Sequence, residues 1–357
     1  MLCAGEGTRL RPLTFAKPKH LLPVAGVPLL GHVLEALAGA GLSEVGIVVG
    51  HHPEAVHRYV GDGDQWGLHA TYITQEKPLG LGHAVAQCRD YLGDCPFILY
   101  LGDNLLQNGV RGFVDRFRAD GMDASLLLRE VDDPRRYGVA VLDDRQRVQR
   151  VVEKPADPPS NLAIVGVYAF TSAIFDAIAS IKPSARGELE ITDAIQYLVD
   201  HGRPVSAEIV EGFWEDAGEP AALLRANRVY LDQMVPAMGG SSVGHCHIEG
   251  LVSVGKGTRL VNASLFGPCL VGRNCVIQDS VVGPYAALGD GCEITDSAIT
   301  NSVVQSNCTI SQLPGGLQGS VLGEQVQVVG DGRSGPPVKL LLGDMSQIRM
   351  FENDADA

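Results

Sequence analysis

"VGRNCVIQDSVVGPYAALGDGCEI", residues 271–294, is built of near-copies of itself. Its units VGRNCV, VGPYAA and LGDGCE each open on an aliphatic residue followed by glycine. Counting in sixes outward from this stretch meets Ile248, Val254, Leu260 and Phe266, and, after a four-residue offset, Leu270, Val276, Val282, Leu288 and Ile294. A helix repeats every 3.6 residues and a strand every 2, so a period of six belongs to neither. It fits a solenoid in which each short strand sends one aliphatic side chain inward and Gly, Asn or Asp turns the chain. A glycine-rich β-sandwich, the alternative, gives no reason for fixed spacing.

Upstream, the pattern changes. "EVGIVVG" (44–50), "ATYIT" (70–74), "PFILYLGD" (96–103), "ASLLLREV" (124–131) and "AIVGVYAF" (163–170) predict strands, short and rich in branched residues. Residues 29–41, 82–92, 110–121, 172–181 and 191–202 predict amphipathic helices. This alternation implies a mainly parallel α/β sheet covered on both faces, with ligands at the carboxyl ends of its strands. A chain of 357 residues suits two such domains. We place their bounds at 1–235 and 240–343, with a flexible acidic tail over 344–357 ending in "FENDADA".

The net charge of −14 argues against nucleic acid and acidic membranes as partners. No secretory signal is visible, and no apolar run approaches the ~18 residues of a membrane span. The eight cysteines carry no CxxC pair or metal-ligand spacing, so free thiols in a reducing cytoplasm are expected.

The first twenty residues run against the overall charge. "AGEGTRLRPLTFAKPKHLLPV" (4–24) carries Arg9, Arg11, Lys17 and Lys19 against the single acid Glu6. A phosphate-binding loop needs backbone N–H groups left uncovered and cations beside them. Gly5, Gly7 and Thr8 offer the first, and Arg9 and Lys19 the second. GxxxxGK[ST] is absent, and GxGxxG fails at Leu10. Taken alone, the loop reads equally well as an ordinary β–α turn.

Farther on stand "QEKPLGLGHAV" (75–85), "LGDN" (101–104), "YGV" (137–139), "EKP" (153–155), "GELEITDAI" (187–195) and "FWEDAGEP" (213–220). In this order, over residues 1 to about 233, the chain resembles the sugar-1-phosphate nucleotidylyltransferases, in a long form with an added hexapeptide-repeat left-handed β-helix. The implied fold is a Rossmann-like doubly wound mixed sheet of the nucleotide-diphospho-sugar transferase type. Only Met1–Ala4 precede the glycine loop, and Ala4-Gly5 stands where the family has Gly-Gly. The natural start is therefore expected upstream, or the chain has been trimmed.

The resemblance implies attack by a sugar 1-phosphate on the α-phosphorus of a nucleoside triphosphate, with pyrophosphate leaving. It points within the family to dTTP and glucose 1-phosphate. A phosphate dianion needs no general base, so positioning and charge neutralisation carry the rate. Arg9 matches the residue on the departing phosphates and Lys19 the one at the α-phosphate, or at both phosphates across the reacting centre; Arg11 is peripheral or a phosphate contact. Asp103 and Asp216 match a pair of carboxylates holding Mg²⁺, which takes one or two carboxylates plus phosphate oxygens. Ala217 departs from the family's Thr or Ile. Lys154 is expected on the sugar phosphate and Glu153 on sugar hydroxyls. Tyr137 and Gly138 match the sugar-pocket segment, and Val165 and Tyr168 line the same pocket or pack in the core. Gln75 suits the O4/N3 edge of a pyrimidine, and Gly80 leaves the base room. His83 opens a helix, Trp66 and Trp214 pack, Glu190 caps a helix or approaches the sugar, and Asp193 supports the site.

UTP or ATP, and glucosamine or N-acetylglucosamine phosphate, are the alternatives within the family, since thymine and uracil differ by one methyl. A β-helix acetyltransferase would make the chain bifunctional, but the solenoid's only histidines, His245 and His247, lie in its first coil. A non-enzymatic sugar-nucleotide sensor would not need the set Arg9, Lys19, Asp103, Lys154 and Asp216. The solenoid is expected to make subunit contacts in a homo-oligomer.

Overall fold

The computed structural model describes residues 1–50 and 53–350. The chain forms two compact units. One takes Met1–Glu6 with Leu30–Asp216, and the other Gly7–Leu29 with the chain from Ala217 onward.

In the first unit Leu2–Cys3 pairs in parallel with Glu44–Val49, which pairs in parallel with His69–Thr74. A parallel bridge from Leu2 to Leu101 leads on to Phe97–Tyr100. There the direction reverses. Leu162–Phe170 runs antiparallel to both Phe97–Tyr100 and Ala124–Glu130, and Val205–Ile209 then lies parallel to the latter. The sheet is thus mixed, as the family resemblance implies, and the expectation of mainly parallel pairing is corrected. Ala163 to Phe170 are all buried, and a run buried on both faces reads alike in either direction.

Helices cover the sheet through residues three and four apart: Phe113, Val114 and Phe117 on Arg111–Asp120, and Ile191, Ile195 and Leu198 on Ile191–Asp200. The helix expected over 82–92 is two, Leu81–Ala86 and Arg89–Leu92. Between them the Cys88 N–H closes on Val85 O, three residues back, which tightens the turn and ends the helical ladder.

The second unit holds the helix Pro220–Asp232 and a parallel solenoid with three rows of stacked aliphatic side chains. Leu260, Ile277, Ile294, Ile310 and Val328 form one row. Leu265, Val282, Ile299 and Leu317 form the second, and Val254, Val271, Leu288, Val304 and Leu322 the third. The central coils repeat every 17 residues, the separation at which Arg273 N–H meets Asp290 Oδ1. Three sixes make eighteen, so the count of six drifts off the interior. Val276 is 36% exposed and Phe266 and Leu270 are half-buried, whereas Ile248 keeps the inward register opposite Leu265 and is 38% exposed in the first coil. Leu265, Cys269, Val271 and Ile277 take the inward places instead.

All eight cysteines are free thiols. Cys275, Cys292 and Cys308 are buried inside the solenoid, and burial pushes the Cys269 thiol up to about 12. No helix of the described residues is long and apolar enough to cross a membrane. Among the described residues the last strand, Gln347–Arg349, pairs with Gln327–Val329, so residues 344–350, expected in the flexible tail, continue the solenoid instead; "FENDADA" lies outside the described residues.

Candidate active site

The parallel strands of the first unit share one carboxyl edge. The glycine loop leaves it directly after Leu2–Cys3, through Ala4 and Gly5. Gly50, after the next strand, comes so close that a Cβ would sit 2.9 Å from Ala4 O. Gln75 N–H donates to Val49 O at 2.8 Å, and Gly102 N–H to Leu2 O at 2.9 Å. Gly5, Gln75 and Asp103 are thereby gathered where open α/β sheets receive ligands.

Asp103 is 7% exposed, and Asn104 Nδ2 donates to its Oδ1 at 3.1 Å. Asn104 is also the partner of Asp216 in a short antiparallel ladder, Asn104–Leu106 against Trp214–Asp216. Two carboxylates far apart in the chain therefore sit one position off register from each other. Trp214, read from the sequence as packing, donates its Nε1–H to Asn104 Oδ1 at 2.8 Å and meets the Tyr137 ring edge-on at 5.3 Å. Asn104 is a residue the sequence reading missed; its place beside Asp103 in "LGDN" was the available signal. Gly166, at φ 72°, lets the long strand close in: a Cβ there would lie 3.0 Å from the Asn104 side chain.

This pair fits a hard divalent cation that fills its octahedron with phosphate oxygens and water. Among the described residues no three His, Cys, Asp or Glu side chains cluster into a protein-only metal cage.

A second cluster surrounds Glu153. Gly138–Leu142 and Val148–Glu153 form a hairpin that sets Glu153 opposite Gly138. Lys154 follows at φ 40°, an uncommon conformation for a side-chain-bearing residue, with its N–H bonded to Tyr137 O at 3.0 Å. Lys154 Nζ lies 3.2 Å from Glu153 Oε1, and Thr192 Oγ1 donates to Glu153 Oε2 at 3.2 Å. The space at Gly138 is needed by these neighbours, since a Cβ would sit 2.8 Å from Thr192 Cγ2 and 3.3 Å from Glu153 Oε2.

Arg186 joins this group, and the sequence reading did not single it out. Its Nη2 reaches Glu190 Oε1 at 2.8 Å, Glu153 Oε1 at 3.2 Å and Glu188 Oε2 at 3.4 Å. Its signal lay in "RGELEITDAI", where one cation precedes three acids. Glu190, 3% exposed, also accepts from Ser184 Oγ at 2.8 Å, so it is a buried member of the cluster rather than a side-chain helix cap. Burial, then Glu190 and Glu153, push the Asp193 carboxyl above its ordinary range, with Arg186 opposing. Burial, then Glu153, likewise raises the Tyr168 phenol. Val165 is fully buried, which favours the packing reading for it.

Gln75 is 7% exposed, its Nε2 held by Gly80 O at 3.3 Å and His83 Nδ1 at 3.0 Å. His83 thus orients Gln75 besides opening its helix. Gly80, at φ 101°, could carry no side chain, because a Cβ would sit 2.6 Å from Leu189 O. Its openness serves that backbone contact, which joins the Gln75 segment to the one carrying Arg186.

In the second unit, Gly7 sits at φ 64° and its O accepts from Thr14 Oγ1 at 2.8 Å. A Cβ on Gly7 would lie 3.0 Å from Lys19 Cβ, so the loop folds back with Lys19 against it. Thr8 and Arg9 are exposed at the start of one short turn and Lys19 starts another. Arg9 Nη1 pairs with Glu219 Oε1 at 3.2 Å, both partly exposed. Arg11 lies over the Phe15 ring, 5.4 Å from its centre.

Residues 1–233 match the nucleotidyl transferase family. A glucose-1-phosphate thymidylyltransferase of Streptomyces antibioticus is 43% identical over 352 residues, 98% of each chain. One from Streptomyces griseus is 42% identical over 98% of each. A crystal structure of a UDP-glucose pyrophosphorylase complexed with UDP-glucose aligns with TM-score 0.60 at 26% identity, over 65% of this chain and 97% of that one.

Proposed function

The chain belongs to the nucleotidyl transferase family, and from that premise we propose that it condenses dTTP with glucose 1-phosphate to dTDP-glucose and pyrophosphate. The observation that carries the reading is the register of Asp216 against Asn104, which sets a second carboxylate beside Asp103 at the edge where the glycine loop begins. A divalent ion held there, Mg²⁺ in this reading, would neutralise triphosphate charge as two anions approach.

The protein's own groups do the rest. Gly5, Gly7 and Thr8 offer backbone N–H groups to the triphosphate, and Arg9 and Lys19 offset its charge. Lys154 receives the sugar phosphate, with Glu153 accepting from sugar hydroxyls and Tyr137 and Gly138 beside it. Glu153, braced by Arg186, Lys154 and Thr192, is an acceptor already locked in orientation. Gln75, with its amide nitrogen engaged by Gly80 and His83, reads the pyrimidine edge. The transferred bond forms from a sugar-phosphate oxygen to the α-phosphorus, and the bond to the pyrophosphate oxygen breaks. Positioning and charge supply the acceleration.

We assign transfer to residues 1–235 and subunit contacts in a homo-oligomer to the solenoid, 240–343. The free thiols suit a reducing cytoplasm. UTP stays the second reading, supported by the likeness to a chain crystallised with UDP-glucose. The test is pyrophosphate release from each of four triphosphates against several sugar 1-phosphates. Preference for dTTP with glucose 1-phosphate is expected. Preference for UTP would replace the base assignment, and no release from any pair would end the enzymatic reading.

A further inference from the structure

The loop that carries Arg9 and Lys19 lies in the same compact unit as the solenoid, and one buried cation ties the two together. Lys17 Nζ sits 2.7 Å from Gln305 Oε1, 2.6 Å from Glu324 Oε1 and 3.3 Å from Asp344 Oδ2. Those acceptors follow the strands Val303–Val304, Val321–Leu322 and Leu341–Leu342, which stack as successive coils on one face. Each coil thus contributes one oxygen, and an ammonium has three N–H donors to give.

The arrangement is enclosed except at Glu324, which is half-exposed. The Lys17 side chain is 12% exposed, Asp344 11% and Gln305 3%. Among the described residues Gln305 Nε2 has no hydrogen-bond partner, so Lys17 fixes the amide's direction alone. Asp344 is held in turn by Glu324 N–H at 2.9 Å. The loop is pinned on either side of Lys17. A Cβ on Gly343 would meet Pro12 O at 2.8 Å, and the fully buried Asn227 accepts from Ala25 N–H at 2.9 Å and donates to Tyr285 O at 3.3 Å.

Lys17 is separated from Lys19 only by Pro18, whose φ of −60° is set by its ring. Lys19 in turn packs under Gly7. A displacement at Lys17 therefore passes through a stiff link to the backbone that would face a triphosphate. We propose that Lys17 is a positioning residue for nucleotide binding, and that the solenoid corner of Gln305, Glu324 and Asp344 is part of the scaffold of the triphosphate loop. This rests on the loop's proposed role in holding a triphosphate.

The test uses the full chain with Lys17→Met, Lys17→Arg and Glu324→Gln. Three quantities are read: the Kd for inorganic tripolyphosphate by calorimetry, the KM for dTTP and for glucose 1-phosphate, and the thermal midpoint. Lys17→Met should weaken tripolyphosphate binding and raise the dTTP KM about tenfold or more, the scale on which small misplacements act. The KM for glucose 1-phosphate should stay within about twofold, because the loop's displacement is a triphosphate effect. Lys17→Arg should restore most of the loss. Glu324→Gln, at a half-exposed position, should give a smaller shift of the same kind and serves if Lys17→Met does not fold. Equal rises in both KM values, or a lowered midpoint with an unchanged tripolyphosphate Kd, would overturn the inference. Should the wild type release no pyrophosphate yet bind tripolyphosphate in a Lys17-dependent way, the proposed reaction fails and the positioning role stands. Should the wild type not bind tripolyphosphate, the positioning role falls.

Discussion

Replacing Arg186 by Met keeps the length and apolar stem of the side chain and removes only its charge and donors. The loss divides by exposure. Arg186 is 41% exposed and its partner Glu188 40%, so that pair is screened and contributes about 0–1 kcal/mol. Glu190 differs, with a side chain only 5% exposed. Removing one partner of a fully buried ion pair costs about 3–5 kcal/mol, because the other charge is left without compensation. Here the guanidinium is partly hydrated, and Ser184 keeps its hydroxyl bond to the same Glu190 oxygen. Both reduce the figure, and we expect about 2 kcal/mol. For a cooperative unit of some 150–250 residues that lowers the midpoint by roughly 4–8 °C. Thermal unfolding followed by circular dichroism at pH 7.5 measures it. The penalty is electrostatic, so repeating the scan in 1 M salt, where the Debye length falls to about 3 Å, should shrink it. Turnover should also report the change through a raised KM for glucose 1-phosphate, since Glu153 loses a brace at 3.2 Å. An unchanged midpoint, or one lowered equally at both salt concentrations, would refute the electrostatic argument and leave only packing of the stem.

Asp103→Asn, a near isostere, should cut metal-dependent turnover by at least ~10²–10³ with the midpoint moved by no more than a couple of degrees; retained activity in a pyrophosphate assay would remove Asp103 from the metal site. Lys154→Ala should raise the KM for sugar phosphate well above any change for the triphosphate, and equal effects would mean its role is misassigned. Asp193→Asn should stabilise the protein at neutral pH. The Asp193 carboxyl lies above its ordinary value through burial, then through Glu190 and Glu153, so the folded chain holds that proton more tightly. The stability this contributes is complete below the unfolded value of ~3.9 and is lost as pH rises through the raised folded one. The advantage of the asparagine should therefore vanish in urea titrations near pH 3, and a constant difference at all pH values would contradict it.

Much of the outline was legible from residue order because it depends on local rules. Short branched runs ending at turn formers placed five strands of the first unit, and the three-to-four spacing of apolar residues placed the helices on them. The strand ends carrying Asp103 and Gln75 followed, since a βα sheet puts its ligands at that edge. Harder cases lost their signal for identifiable reasons. Leu162–Phe170 is buried on both faces, and a uniformly apolar run does not reveal its direction. The solenoid's interior was misread at Phe266, Leu270 and Val276, because a corner one residue short turns eighteen into seventeen and moves an outward position onto the inward count.

The amino-acid sequence by itself determined the two-part architecture and the kinds of side chain at hand: uncovered backbone, cations and paired acids. Those depend on spacing within one segment, which a linear pattern preserves. Only the tertiary structure decided which of them meet. Asn104 against Asp216, Arg186 among Glu153, Glu188 and Glu190, and Lys17 inside a corner of three coils are mostly contacts across many tens to hundreds of residues. Such contacts are set by how buried charges find partners once water is excluded, and that energy depends on distance in space, which position along the chain does not encode.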